Sequence, residues 1–189
     1  MTKQTKYICL SFLMFFTSLA INAQEKTDTI ALKREARALL REGNDLYNKQ
    51  KYTDASVSYK KALEKNSTYK KASYNLGNAL YQEKNFKEAI PQYELTTKTA
   101  KDVHSKAEAF HNIGNATMEQ KQYQQAVDAY KNSLRNNPND EETRYNLALA
   151  QKNLKKQKEK ENKDKKDKKD DKKKDKKDDK NKKDQKEKE

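Results

Sequence analysis

Apolar side chains recur every three or four residues along most of this chain, in short blocks separated by polar turns. From Ile30 a stripe runs through Leu32, Ala36, Leu39, Leu40 and Leu46, the spacing of one helical face. A second helix is expected from about Tyr52 to Lys65, and a pair at Tyr69–Lys84 and Phe86–Thr99. Asn85 with Glu88 three residues on reads as an N-cap pair. Pro91, one turn into that helix, removes a backbone hydrogen bond and predicts a bend rather than a break. Ser105-Lys106-Ala107-Glu108 reads as a capping box that opens the next helix. Asn137-Pro138-Asn139-Asp140 is a turn, after which Thr143, Leu147, Ala150 and Leu154 form the stripe of a final helix. Beyond Leu154 nothing is left to bury.

The blocks repeat. Counting 1 to 34 from Ala107, a glycine stands at unit position 8 (Gly114), an aromatic at 17 (Tyr123), alanine at 20 (Ala126), tyrosine at 24 (Tyr130) and proline at 32 (Pro138). The unit from Ala36 has Gly43, Tyr52, Ala55 and Tyr59 in the corresponding places; the unit from Lys70 has Gly77, Phe86, Ala89 and Tyr93. Gly43 and Gly77 lie 34 residues apart and Gly77 and Gly114 lie 37 apart, so about three extra residues sit between the second and third units, around Thr99–His104. The chain has only 3 glycines, all at position 8. Glycine inside a helix costs about 1 kcal/mol relative to alanine, so this placement implies close approach of a paired helix. An added methyl should overpack that contact, more clearly at Gly77 than at Gly43 in the terminal unit.

A 34-residue helix–turn–helix period with these landmarks resembles the tetratricopeptide repeat. The fold expected is all-α, a helical solenoid of three units (36–69, 70–106 with a short insertion, and 107–140) closed by a capping helix at 141–154. Residues 24–35 are a lead-in that begins the first helix. Glu42 and Asp45 replace apolar residues of later units, as suits an N-terminal unit with no predecessor to cover it. The resemblance implies a concave groove that binds extended peptides through unit positions 2, 5, 9, 12 and 13. Position 9 is Asn44, Asn78 and Asn115; position 5 is Leu40, Tyr74, His111 and Tyr145; position 12 is Tyr47, Tyr81 and Met118. Position 2 runs Arg37, Lys71, Glu108, Glu142, basic at one end and acidic at the other. An asparagine amide both donates and accepts, so a row of them can grip a peptide backbone, or can merely solvate the groove. Family members that clamp a C-terminal carboxylate use Lys and Arg where this chain has Leu40, Glu108 and Asn112, which argues against that mode here.

The two ends differ from the repeats. Residues 1–23 combine Lys3 and Lys6, an apolar run and Ile21-Asn22-Ala23 before Gln24, the layout of a signal peptide cleaved near Ala23-Gln24, with an uncleaved anchor as the alternative. The expected mature protein is exported, and its one cysteine, Cys9, is lost with that segment. Of the net charge of +14, half lies in 155–189, where 19 lysines interleave with 12 acids. Such a run cannot offset its ordering entropy, so disorder is expected; a charged single helix is the alternative, disfavoured because Asp supplies most of the acid. His104 and His111 have no cysteine partner and no HExxH context, and no phosphate loop or nucleophile–base pair is present. No enzyme, metal or cofactor is expected.

Signal segment, three repeats, the run from Asp140 to Ala150 and a Lys/Asp tail together resemble the exported repeat proteins of the Bat (aerotolerance) gene clusters of Bacteroidota. That likeness implies a periplasmic adaptor for membrane-bound proteins with von Willebrand factor A domains. A reading from another class is a polyanion binder, in which the basic tail makes weak contact with an anionic membrane surface at roughly 1 kcal/mol per lysine, diluted by the interleaved acids.

Overall fold

A computed structural model describes residues 28–186, with side chains as far as Lys163. The signal segment expected at 1–23 lies outside the described residues. Helix α1 is described over 28–48. It is followed by α2 (Tyr52–Lys65), α3 (Lys70–Gln82), α4 (Phe86–Thr99), α5 (Val103–Glu119), α6 (Tyr123–Asn136) and α7 (Glu141–Lys186). From α3 onward each helix packs on the one before it, and α5 also touches α7; α2 meets α1 where Tyr59 lies against Gly43. The result is a stack of hairpins, an all-α solenoid without strands among the described residues.

What sets the spacing of each pair is one glycine and one tyrosine. A β-carbon on Gly43, Gly77 or Gly114 would lie 2.4, 2.6 or 2.3 Å from the ring of Tyr59, Tyr93 or Tyr130 in the same unit. Those three tyrosines are the largest fully buried side chains, and burying such a ring contributes roughly 2–3 kcal/mol each. Ala55, Ala89 and Ala126, one turn earlier on the second helices, are also fully buried. Two apolar clusters result. One joins Leu40, Tyr59, Leu76, Leu80 and Tyr93 and runs into α5 and α6; the other joins Ala126, Val127, Tyr130 and Ala150, with Met118, Leu147 and Leu154 against it.

The turn inside each unit is the same. Gln50, Lys84 and Lys121, all at unit position 15, have φ of 58–59°. The next N–H then reaches back to a carbonyl five residues earlier: Lys51 to Leu46 at 3.0 Å, Asn85 to Leu80 at 2.8 Å, Gln122 to Thr117 at 2.9 Å. This is a Schellman cap, made here without glycine.

Several expectations are corrected by these elements. Ile30 and Leu32 are 56% and 43% exposed, so the apolar stripe of α1 begins at Ala36. Asn85 makes no side-chain cap bond; its backbone is committed to the Schellman turn. Ser105 does not cap α5 either. Asp102 does, accepting the Ser105 N–H at 2.8 Å, because the extra residues between units two and three lengthen α5 at its N-terminus. The Ser105 N–H and then Lys70, at 2.9 Å, hold the Asp102 carboxyl below the ordinary range. Gly43 is as tightly occupied as Gly77, so terminal position gives it no relief.

α7 behaves as two parts. Thr143 and Ala150 are fully buried on unit three, and Leu147 and Leu154 pack beside them. Residues 155–163 are all exposed. The backbone is helical to Lys186, since no Gly or Pro interrupts 141–186 and Lys155 and Glu159 form an i,i+4 pair at 4.0 Å. From Lys155 as far as Lys163, however, it buries nothing, in keeping with the disordered charged tail expected there. In 155–163 only the helix's own backbone and such pairs hold it, a marginal arrangement in water.

Candidate functional site

The first helices of the units, α1, α3, α5 and the start of α7, share one concave face. Along it runs a hydrogen-bonded ladder. In every unit the buried tyrosine donates its hydroxyl to the position-9 asparagine: Tyr59 to Asn44 at 2.9 Å, Tyr93 to Asn78 at 2.9 Å, Tyr130 to Asn115 at 2.7 Å. The same asparagine oxygen also accepts from position 6 of the following unit: Asn75 Nδ2 to Asn44 at 2.8 Å, Asn112 to Asn78 at 3.3 Å, Asn146 to Asn115 at 3.4 Å. Each rung therefore ties two helices of one unit to the first helix of the next.

The two ends of the chain reveal what the ladder needs. Position 6 of the first unit is Arg41, where no preceding asparagine exists to accept. Position 9 of α7 is Leu149, where no second helix brings a tyrosine. Asparagine stands only where it has both partners, so its carbonyl oxygen belongs to the fold. This corrects the expectation that the row both donates and accepts toward a ligand. What faces the groove is the amide nitrogen. Among the described residues the Nδ2 groups of Asn44 and Asn115 make no hydrogen bond, while that of Asn78 lies beside the Tyr74 hydroxyl.

Two adjoining clefts open on this face. One, of about 270 Å³, is lined by Asn44, Tyr47, Asn48, Tyr59, Asn75 and Asn78. The other, of about 360 Å³, runs from Leu40 and Asn44 past Lys71, Tyr74 and Asn75 to Glu108. Burial pushes the tyrosine hydroxyls of the ladder up: Tyr59, in the first cleft, to about 12, Tyr93 and Tyr130 further still. The Tyr74 hydroxyl is raised by burial and by the Glu108 carboxylate. The floor of the groove is thus neutral, made of amides and phenols.

The other residues named from the sequence are scattered about this floor. Leu40 is only 7% exposed and belongs to the core. Tyr47 and Tyr81 stack edge-on against Tyr52 and Phe86 at 5.1 and 5.2 Å, so each stiffens its own hairpin. Met118 packs under α7. His111 is enclosed: Thr143 donates to Asp140 at 2.7 Å and so accepts from His111 Nδ1–H at 2.6 Å. Its ring leans on Tyr130 at 5.9 Å, and Nε2 faces Glu142 at 3.6 Å. Burial opposes ionisation of Asp140, but the N–H and hydroxyl of Thr143 and the nearby His111 together hold its carboxyl below the usual range. Tyr145, by contrast, is 70% exposed. Arg37 lies apart from the two clefts, in a third of about 200 Å³ with Lys33, Asn66 and Tyr69. No group of His, Cys, Asp and Glu able to hold a metal ion occurs among the described residues.

Residues 40–102 match the family model of the tetratricopeptide repeat, and residues 114–155 match a second model of the same repeat. Together these cover more than half of the chain. The chain belongs to the tetratricopeptide repeat family. No curated protein matches it. Among solved structures, the N-terminal domain of stress-induced protein-1 (STI-1) from C. elegans is 25% identical over 64% of this chain and 98% of that one, with a TM-score of 0.60. The first repeat domain of Spaghetti (RPAP3), bound to the HSP90 peptide SRMEEVD, is 21% identical over 65% and 94%, again at 0.60. YrrB, described as a repeat protein with an unusual peptide-binding site, is 24% identical over 66% and 63%, at 0.55. These likenesses establish the solenoid.

Proposed function

We propose that this protein is a non-enzymatic adaptor whose concave face holds an extended segment of a partner protein. The observation that carries this reading is the division of labour in the asparagine row. The oxygens of Asn44, Asn78 and Asn115 are spent within the fold, so their amide groups are fixed in place; the Nδ2 donor of Asn44 is left in the clefts, and that of Asn115 is left without a partner further along the row. Donors held in position by a folded scaffold suit the carbonyls of an extended peptide and cost little ordering on binding. Tyr74 and the exposed Tyr145 supply apolar contact along the same face. Peptide complexes of proteins with this fold, such as that of Spaghetti (RPAP3) with an HSP90 peptide, are consistent with such use.

The setting we propose for that adaptor rests on the two ends of the sequence: export directed by residues 1–23 to the periplasm, and a place in a Bat-type aerotolerance system beside membrane-bound von Willebrand factor A proteins. The layout of signal segment, repeats and charged tail supports this setting.

Asparagine-to-alanine changes would damage the fold as well as the face. The informative change is Asn44→Asp with Asn115→Asp, which keeps the accepting oxygen for the ladder and replaces the outward donor by an acceptor. In co-purification from cells, this double variant should lose the partner while keeping its melting temperature within a few degrees. Equal recovery of the partner by the folded variant would contradict groove binding.

A further inference from the structure

The cleft that contains Arg37 carries a chemistry different from the rest of the concave face. Its lining residues are Lys33, Arg37, Asn66 and Tyr69, two cations and two neutral donors with no carboxylate. Apart from the Tyr69 hydroxyl, which can donate or accept, their side-chain acceptor atoms are already used or are absent. The Lys33 carbonyl accepts Arg37 Nε at 3.1 Å, which turns the guanidinium so that both terminal nitrogens remain for a ligand. Asn66 Oδ1 accepts the Thr68 hydroxyl at 3.3 Å, leaving its Nδ2. Tyr69 is half-buried with its ring against the core, which fixes where its hydroxyl sits. The nearest described acid on this helix turn, Glu35, is paired with Lys65 at 3.1 Å. A pocket rich in donors, with positive charge on one wall and no carboxylate in its lining, matches a group that accepts and is negative. A carboxylate is that group.

Position ties this cleft to the groove. Lys33, Arg37, Leu40 and Asn44 follow one another at intervals of four, three and four residues, so they lie on one stripe of α1. Arg37 and Asn44 are seven residues apart, about 10 Å along the helix axis. An extended chain covers that in about three residues.

We infer that Lys33, Arg37, Asn66 and Tyr69 form an anchoring subsite for an acidic side chain of the bound segment, about three residues from the one whose carbonyl meets Asn44. This rests on the reading of the concave face as a peptide groove. It differs from capture of a chain terminus, because the groove positions that would clamp a terminal carboxylate are Leu40, Glu108 and Asn112.

The test is a nuclear magnetic resonance titration of the isotope-labelled full chain with acetyl-Glu-Ala-Ala-Ala-amide, its Gln counterpart, and sodium phosphate. The Glu peptide should shift Arg37 Nε and the Asn66 and Tyr69 amides, with the Asn44 side-chain amide following. The Gln peptide should leave the first three in place. Arg37→Gln, a change at an exposed residue, should weaken the Glu peptide at least fivefold without lowering the melting temperature. Equal shifts from both peptides, shifts confined to the lysine-rich tail, no shift at all, or saturation by phosphate but not by the Glu peptide would each overturn the subsite. Shifts at Asn44 and Asn115 from both peptides, with Arg37 silent, would sink the subsite and leave the groove standing.

Discussion

Gly77 has no room for a β-carbon because the ring of Tyr93 occupies it: Cε1 would be 2.6 Å away and Cδ1 2.8 Å. The obstacle is the edge of a ring that is itself buried, so neither partner can step aside. Alanine here gains about 1 kcal/mol of helix propensity and should still come out destabilised by about 1–3 kcal/mol. Gly43→Ala and Gly114→Ala should cost as much, since their contacts are no looser. Thermal unfolding of the three single variants checks this, and any of them melting at or above the wild type would remove the packing argument.

The ladder makes a separate claim on stability. Asn78→Ala strips the acceptor from the Tyr93 hydroxyl and from Asn112 Nδ2 together. The expected loss is about 1–3 kcal/mol. Asn48→Ala, which lines the same cleft but makes no rung, should be nearly neutral. Chemical denaturation of both variants measures the difference; equal midpoints would mean that the rungs hold nothing.

Much of this fold was legible in the sequence because the period is carried by residues whose partners lie in the same unit. Gly43 with Tyr59, or Ala89 with Tyr93, recur at fixed spacing, and a single helical hairpin explains them. The ladder was not read because its second half lies between units: Asn75, Asn112 and Asn146 answer Asn44, Asn78 and Asn115 across the stack. The signal was present in Arg41 and Leu149, which break the pattern at the two ends. The Asp102 cap was missed for a local reason, since a capping box one turn downstream is an equally good match until the helix start is fixed by packing. Left-handed turns at Gln50, Lys84 and Lys121 left no trace because glycine, their usual sign, is absent.

Those turns give a stabilising change. Lys84 sits at φ 59°, where an L-residue pays about 1–2 kcal/mol, partly offset for glycine by its greater freedom when unfolded. Lys84→Gly should therefore raise stability by about 0.5–1 kcal/mol. A lower melting temperature for this variant would show that the lysine side chain contributes more than its backbone costs.

The buried tyrosines set an alkaline limit. Burial raises Tyr59 from its unfolded value of 10.0 to about 12. A group raised in the folded state contributes fully below its unfolded pKa and loses that contribution as pH climbs through the folded one. Stability should be level up to about pH 10 and fall between 10 and 12. Tyrosinate absorbance of the buried rings and helical circular dichroism should then change together in that window, and Tyr59→Phe should make the fall shallower, Tyr93 and Tyr130 still contributing to it. Complete tyrosine ionisation near pH 10 with the helices intact would contradict the enclosed floor described above.

The claim on which the account turns is that partners meet the concave face, and site-specific photocrosslinking in intact cells tests it most directly. A photoreactive residue at exposed Tyr145, on the concave side, should capture a partner protein. The same residue at Val57, which is 46% exposed on the second helix of unit one, should capture none or far less. Capture from Val57 alone, or equal capture from both, would place binding elsewhere and contradict the groove.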